Sequence, residues 1–321
     1  MKLPTARGSV SAALIDVLSG RGGSLPVAPV FDGDEDLHLT LFVAYELAYR
    51  GWDGVDDQWE WDPDVLRVRA AAERAFWSDL IELAGPVPTL DPATVPAELV
   101  KTVEADDGPS LSGYLRGRAT HQQFREFVTH RSVYQLREAD PHTFAIPRLG
   151  GRAKAALIEI QADEYGGGEL PKMHQELFKR TMRWFGLDTT YGTYVDSVGA
   201  PTLAVNNVMS LFGLHRRWRG AMIGHLAAYE MTSTLPNRAY GNGLRRLGGD
   251  DSSTVYYDEH VEADAVHEQI AAYDLCGSFA AAEPELAGDV LFGARCALKL
   301  DELWARSVLG AWEAGESSLR V

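Results

Sequence analysis

The chain has 321 residues, 45% of them hydrophobic, with 46 acidic against 30 basic side chains and a net charge of −16. Its mean hydropathy is −0.17 and charge interrupts each of its longer apolar stretches, which excludes a membrane span and argues against nucleic acid or an anionic membrane surface as partner. The stretch Met1–Gly8 lacks the apolar core of a secretory signal, and the two cysteines, Cys276 and Cys296, suit free thiols in a reducing cytosol. The expectation is a cytoplasmic protein whose partner is a small molecule.

Helical periodicity dominates, and no segment alternates in the manner of a strand. Ser9 to Leu18 reads as a short helix, followed by a Gly/Pro-rich connection from Gly20 to Gly33. Asp34, Glu35 and Asp36 lead into a helix from Leu37 to Arg50, at the end where the macrodipole favours acids. Trp52 to Trp61 is an aromatic, acidic loop, Asp62-Pro63 opens a helix to Leu83, and Gly85 to Pro96 is loop. Thr120 to Ala139 is a long helical pattern stopped by Asp140-Pro141, with Glu138 near its end. Lys154 to Glu164 follows and runs into Gly166-Gly167-Gly168. Further helices are predicted at 172–185, 189–198, 201–212, 218–232, 236–247, 253–276, 284–308 and 309–316. Connections are short and no repeat is visible. These elements predict one compact all-α domain, with residues 1–110 as a helical elaboration packed on a core of residues 111–321.

The densest chemistry lies in His260-Val261-Glu262-Ala263-Asp264-Ala265-Val266-His267. At about 100° per residue, side chains at i, i+4 and i+7 fall within an arc of roughly 60° on one helix face. Two imidazoles and a carboxylate on one face form a coordination set for iron, manganese or zinc, although a solvated face that carries two histidines reads the same. Asp264-x-x-His267 has the i, i+3 spacing of carboxylate-bridged di-metal bundles, which usually carry Glu at the first position. Such a site needs ligands from other helices. Glu164, the three glycines and His174 form the next candidate group, since each helical glycine costs roughly 1 kcal/mol against Ala and a break there can aim Glu164 and His174 inward. An ordinary helix–turn–helix link with Pro171 at the next N-terminus is the competing reading. Glu138 by itself reads as a surface acid.

Glu138, the Glu164/His174 pair and the His260-x3-Asp264-x2-His267 run, in this order, resemble the haem-oxygenase-like diiron oxidases and oxygenases, many of which are known only as iron-containing redox enzymes. The motifs span about 138 to 268 and the helical order extends over the whole chain. The resemblance implies a bundle of about seven helices without haem. It also implies that Glu138, Glu164, His174, His260, Asp264 and His267 bind two Fe(II) ions, with Glu164 bridging and with O2 as cosubstrate. In such enzymes the helix that bears the Glu–His pair is irregular, which would give the glycine run its purpose. Carboxylates and imidazoles without thiolate also suit Fe(II) or Mn better than structural zinc.

His225 and Glu230, with Tyr229 between them, are expected to make buried hydrogen bonds, with a further carboxylate ligand as the alternative. Asn206 and Asn207 either contact substrate or cap a bend. Arg148, Arg216 and Arg217 read as surface cations in solvated salt bridges, with bidentate binding of a substrate carboxylate as the alternative, and His38, His121, His130 and His142 as structural. The resemblance implies O2-dependent oxidation of a small amino-acid-type substrate in natural-product biosynthesis. C–H oxidation such as desaturation or C–N ring formation is placed first, and N-oxygenation second. An external electron donor and a homodimer are expected. Two other readings stay open: a non-catalytic iron-binding protein, and a metal-free relative with a nucleophilic cysteine. Cys276 disfavours the second, because nine residues beyond His267 it lies about 180° round the helix.

Overall fold

The computed structural model describes residues 1–320, apart from the side chains of residues 263–266, and among the described residues all regular structure is helical. In chain order the helices are α1 (Ser9–Leu18), α2 (Asp34–Glu46), α3 (Pro63–Ala84), α4 (Val95–Glu104), α5 (Leu111–Gly117), α6 (His121–Gln135), α7 (Asp140–Thr143), α8 (Gly151–Glu164), α9 (His174–Trp184), α10 (Ala200–Leu214), α11 (Arg219–Arg246), α12 (Asp251–Gln269), α13 (Ser278–Ala282) and α14 (Ala287–Glu313). A π-helical stretch, Ile270–Gly277, joins α12 to α13.

The long helix α11 is the axis of the bundle. It packs along α14, α12 and α5 and reaches the π-helical stretch. Its run Gly220–Ala228 is buried throughout, and small residues let the neighbouring backbone come close: a Cβ on Gly224 would meet the Val290 carbonyl at 1.9 Å. The larger apolar cluster extends from Leu37 to Trp312. A smaller one gathers α1, α2 and α3 with Val133, Val198 and Leu203. Helix α2 serves both, giving Leu41 and Tyr45 to the first and Phe42 and Val43 to the second. That is why it is hydrophobic nearly all round.

Several boundaries differ from the sequence expectation for physical reasons. Helix α6 starts on a capping box, with Thr120 and Gln123 bonding reciprocally. It ends at Gln135 rather than 139, ahead of Pro141, whose ring would clash with the carbonyl four residues back. Glu138 therefore sits in the turn between α6 and α7. Residues 189–198 are turns with a single 3-10 element, Val195–Ser197, because Gly192 takes φ 79° and the flanking Thr and Tyr are weak helix formers. Helices α4 and α5 lie almost wholly between Pro96 and Thr120, where no element is predicted. Helix α11 continues through Pro236, where two helices are predicted. Thr232 Oγ1 donates to the Ala228 carbonyl at 2.7 Å just ahead of that proline.

Candidate metal centre

Two groups of buried or mostly buried ligand-type atoms meet in the bundle. Glu138, Glu164, His174 and His260 form one, and Glu164, Glu230 and His267 the other, with the atoms of each group within 4.8 Å of one another. Glu164 belongs to both. Histidines seven residues apart on α12 are separated by about 10 Å of helix rise, so His260 and His267 serve neighbouring groups rather than one. Asp264, a turn from each, lies outside the described residues.

The local sequence explains how Glu164 and His174 meet. Glu164 is the last residue of α8 and His174 the first of α9. The intervening Gly166, Gly167 and Gly168 all have positive φ, so the glycines form the turn instead of loosening a helix. At Gly166 a Cβ would lie 2.5 Å from the Lys172 carbonyl carbon, so only glycine allows the chain to fold back so tightly. The result places His174 Nδ1 3.0 Å from Glu164 Oε2.

The donors are aimed at one another without being satisfied by one another. Among the described residues, Glu138 Oε2, Glu164 Oε2, His174 Nδ1 and His267 Nδ1 are buried with no partner at hydrogen-bonding geometry, even though His174 and His267 lie within 3.2 Å of carboxylate oxygens. Buried carboxylates without compensating charge are costly, and a cation held between these atoms would supply that charge. The surroundings also set the imidazole tautomers. His260 Nδ1 donates to the Tyr256 carbonyl at 2.7 Å, which turns Nε2 toward Glu138 Oε1 at 3.5 Å. His267 Nε2 lies 2.9 Å from Asp163 Oδ2, which turns Nδ1 toward Glu230 Oε2 at 3.2 Å. Outer partners of this kind orient metal-binding histidines.

Without a cation the groups perturb one another. Burial raises the Glu164 carboxyl, but His174, then His260 and His267, outweigh it and hold Glu164 well below the usual carboxylate range. Burial opposes protonation of His174, and Glu164 overcomes it, raising its pKa. Burial likewise opposes protonation of His267, yet Glu230, Asp163 and Glu164 raise it to about 9. An acidic pocket that traps protons on its histidines also suits divalent cations, and a donor set of nitrogen and oxygen without sulfur fits iron.

A cavity of about 340 Å³ reaches the site, touching Glu138, Glu164, Glu230 and His260. Tyr134, Tyr229, His142 and Gln161 add to its wall, and it extends to Asp106, Asp301 and Glu302. Gln161 Nε2 donates to the Ala139 carbonyl and to Thr143 Oγ1, while its buried Oε1 has no partner. Arg131, also on the wall, is paired with Asp301 at 3.0 Å.

All six residues singled out in the sequence except Asp264 fall in these two groups. Glu230, expected to make ordinary buried hydrogen bonds, is in the second group instead. Its sequence signal is an acid that follows directly on the apolar, buried run of α11. His225 pairs with His142 at 3.3 Å, and Asn206 and Asn207 donate to the carbonyls of Thr202 and His38. Arg148 caps α10 by donating to the Gly213 and Leu214 carbonyls, so it is not a surface cation. Cys276 is fully buried and its thiol pKa is pushed far up by burial, which removes it as a nucleophile.

With this centre inside an all-helical bundle, the comparison with known families is direct: the iron-containing redox enzyme family matches residues 125–302, more than half of the chain, and the chain belongs to it. Its fold is the haem-oxygenase-like helical bundle. A nitrosourea synthase from Streptomyces achromogenes subsp. streptozoticus is 26% identical over 210 residues, which cover 64% of this chain and 44% of that protein. The chain thus spans less than half the length of that relative. Among the described residues no helix is long and apolar enough to cross a membrane.

Proposed function

We propose that the protein holds two iron ions and uses them with O2 to oxidise a nitrogen atom of a small amino-acid-type substrate in natural-product biosynthesis. Glu138, His174 and His260 would hold the first ion, Glu230, His267 and Asp264 the second, and Glu164 would bridge them. The observation that carries the reading is the membership of Glu164 in both groups of converging ligand-type atoms. Two ferrous ions bound there would supply the electron pair for the first reduction of O2, and an external donor would restore them.

The chain's own residues bind and orient. Tyr256 donates its hydroxyl proton to Glu138 Oε1 and fixes that carboxylate. The cavity has the size of a small-ligand pocket, and its wall mixes tyrosine rings and aliphatic side chains with acids and amides. Gln161 Oε1 offers an acceptor and Asp106 offers negative charge, while Arg131 is already engaged by Asp301 and Glu302 by Lys299 and Arg306. That balance favours a substrate with N–H donors. Nitrogen is placed ahead of carbon because the relative is named for a nitrosourea, a product with an oxidised nitrogen.

Anaerobic loading with Fe(II), followed by O2 uptake and product masses across a panel of amino acids and amines, tests this. Two irons per chain and a product that has gained oxygen on nitrogen are expected. Loss of two hydrogens from carbon as the sole outcome would replace nitrogen by C–H oxidation, and a chain that binds no iron would overturn the reading.

A further inference from the structure

Asp163 and Glu164 are neighbours at the end of α8 that face opposite ways. The Glu164 side chain is 8% exposed and turned into the metal centre, and that of Asp163 is 60% exposed. Even so, Asp163 Oδ2 reaches the buried ring of His267. A histidine whose Nε2–H donates outward to a carboxylate presents the Nδ1 lone pair inward, and His267 Nδ1 is the atom that faces Glu230. His260 has the opposite arrangement, with Nδ1 held by the backbone carbonyl of its own helix. One histidine of α12 is therefore oriented from within the helix, and the other, among the described residues, by side chains reaching across from α8 and α11.

We propose that Asp163 is a positioning residue for the second ion. It fixes His267 as a donor through Nδ1, makes that nitrogen more basic, and so sets the affinity of the Glu164–Glu230–His267 half without touching the half built on His260. The same two-residue step on α8 supplies both the shared carboxylate and the orienting one, so a shift of α8 against α12 disturbs the bridge and the histidine together. Because Asp163 is exposed, water competes for its hydrogen bond, and the second ion is the weaker of the two.

This rests on the two-iron reading, and the test separates them. Calorimetry with Fe(II) under anaerobic conditions on the wild-type chain should resolve two events. In Asp163→Ala the weaker event should fall by about 10–100-fold, with the stronger event unchanged and one iron per chain retained after desalting. Asp163→Asn keeps an oxygen that accepts from Nε2–H but loses the charge, so it should fall between the two. Circular dichroism and melting of the metal-free variants report on folding. Two events of wild-type strength in both variants would overturn the role of Asp163 alone. Parallel loss of both events in the two variants would overturn it too, since Asp163 would then support the fold and not one ion. A wild-type chain without iron would overturn both proposals before any variant is made.

Discussion

The half of the metal centre around His260 and the half around His267 share helix α12 and the carboxylate of Glu164, yet they are fastened in different ways. Around His260 the supports are internal to packed elements: a backbone carbonyl for the imidazole, the Tyr256 hydroxyl for Glu138, and a glycine turn that ties His174 to Glu164. Around His267 they are single side chains from α8 and α11. A backbone carbonyl inside a helix is fixed by the ladder around it, whereas an exposed carboxylate keeps rotamer freedom that is lost on pairing. Two sites with similar donors can thus differ in affinity through what stands behind the donors.

The largest effect should come from the residue that the halves share. Glu164→Ala should reduce iron from two per chain to near none and abolish O2 uptake, measured by metal analysis after desalting. His260→Ala and Glu230→Ala should each remove one ion, and calorimetry should show that different events survive in the two variants. If either variant empties both positions, the ions bind as a unit and the distinction between the halves fails.

How much of this was legible beforehand follows from how local each signal is. The His260–His267 run is visible because helical spacing alone brings its members to one face, and the Glu164–glycine–His174 segment because three glycines in a row are conspicuous. Glu230 was legible only as the lesser alternative. Its partner His267 is brought near only by the packing of α11 on α12, and a lone acid in a helix has no spacing to betray it. Asp163 was hidden beside Glu164 for the same reason. In the fold, helix positions followed from apolar periodicity, whereas Pro236 reads as a stop because what carries α11 past it is tertiary packing against α5 and α12, which local sequence does not show.

The halves also differ in how their histidines titrate. In the metal-free protein the folded pKa of His267, about 9, lies above its usual 6.5. The stability from its contacts with Glu230 and Asp163 is fully present below pH 6.5 and is lost as pH rises through 9. His174, raised by Glu164, moves in the same sense. Metal-free protein should therefore melt lower at pH 9.5 than at 6.5, while iron binding tightens over the same range because the ion replaces a proton. The Glu230→Gln variant should flatten the decline in melting temperature. A wild-type decline that survives this substitution would place the proton elsewhere.

The smallest effect expected separates the halves most cleanly. Tyr256 is fully buried, and its hydroxyl donates to Glu138, a donor of the first half only. Tyr256→Phe keeps the ring and its packing against Phe178 and His174 while removing that one donor. Loss of a hydrogen bond to a charged group amounts to about 1.5–3 kcal/mol when nothing replaces it, but in the loaded protein the ion still neutralises Glu138. The cost should therefore appear mainly as a lower melting temperature of the metal-free chain, with only a modest weakening of the stronger iron event and none of the weaker one. A change in the weaker event instead would mean that the Tyr256 hydroxyl acts through the shared Glu164, and that the two halves are coupled more tightly than their separate supports imply.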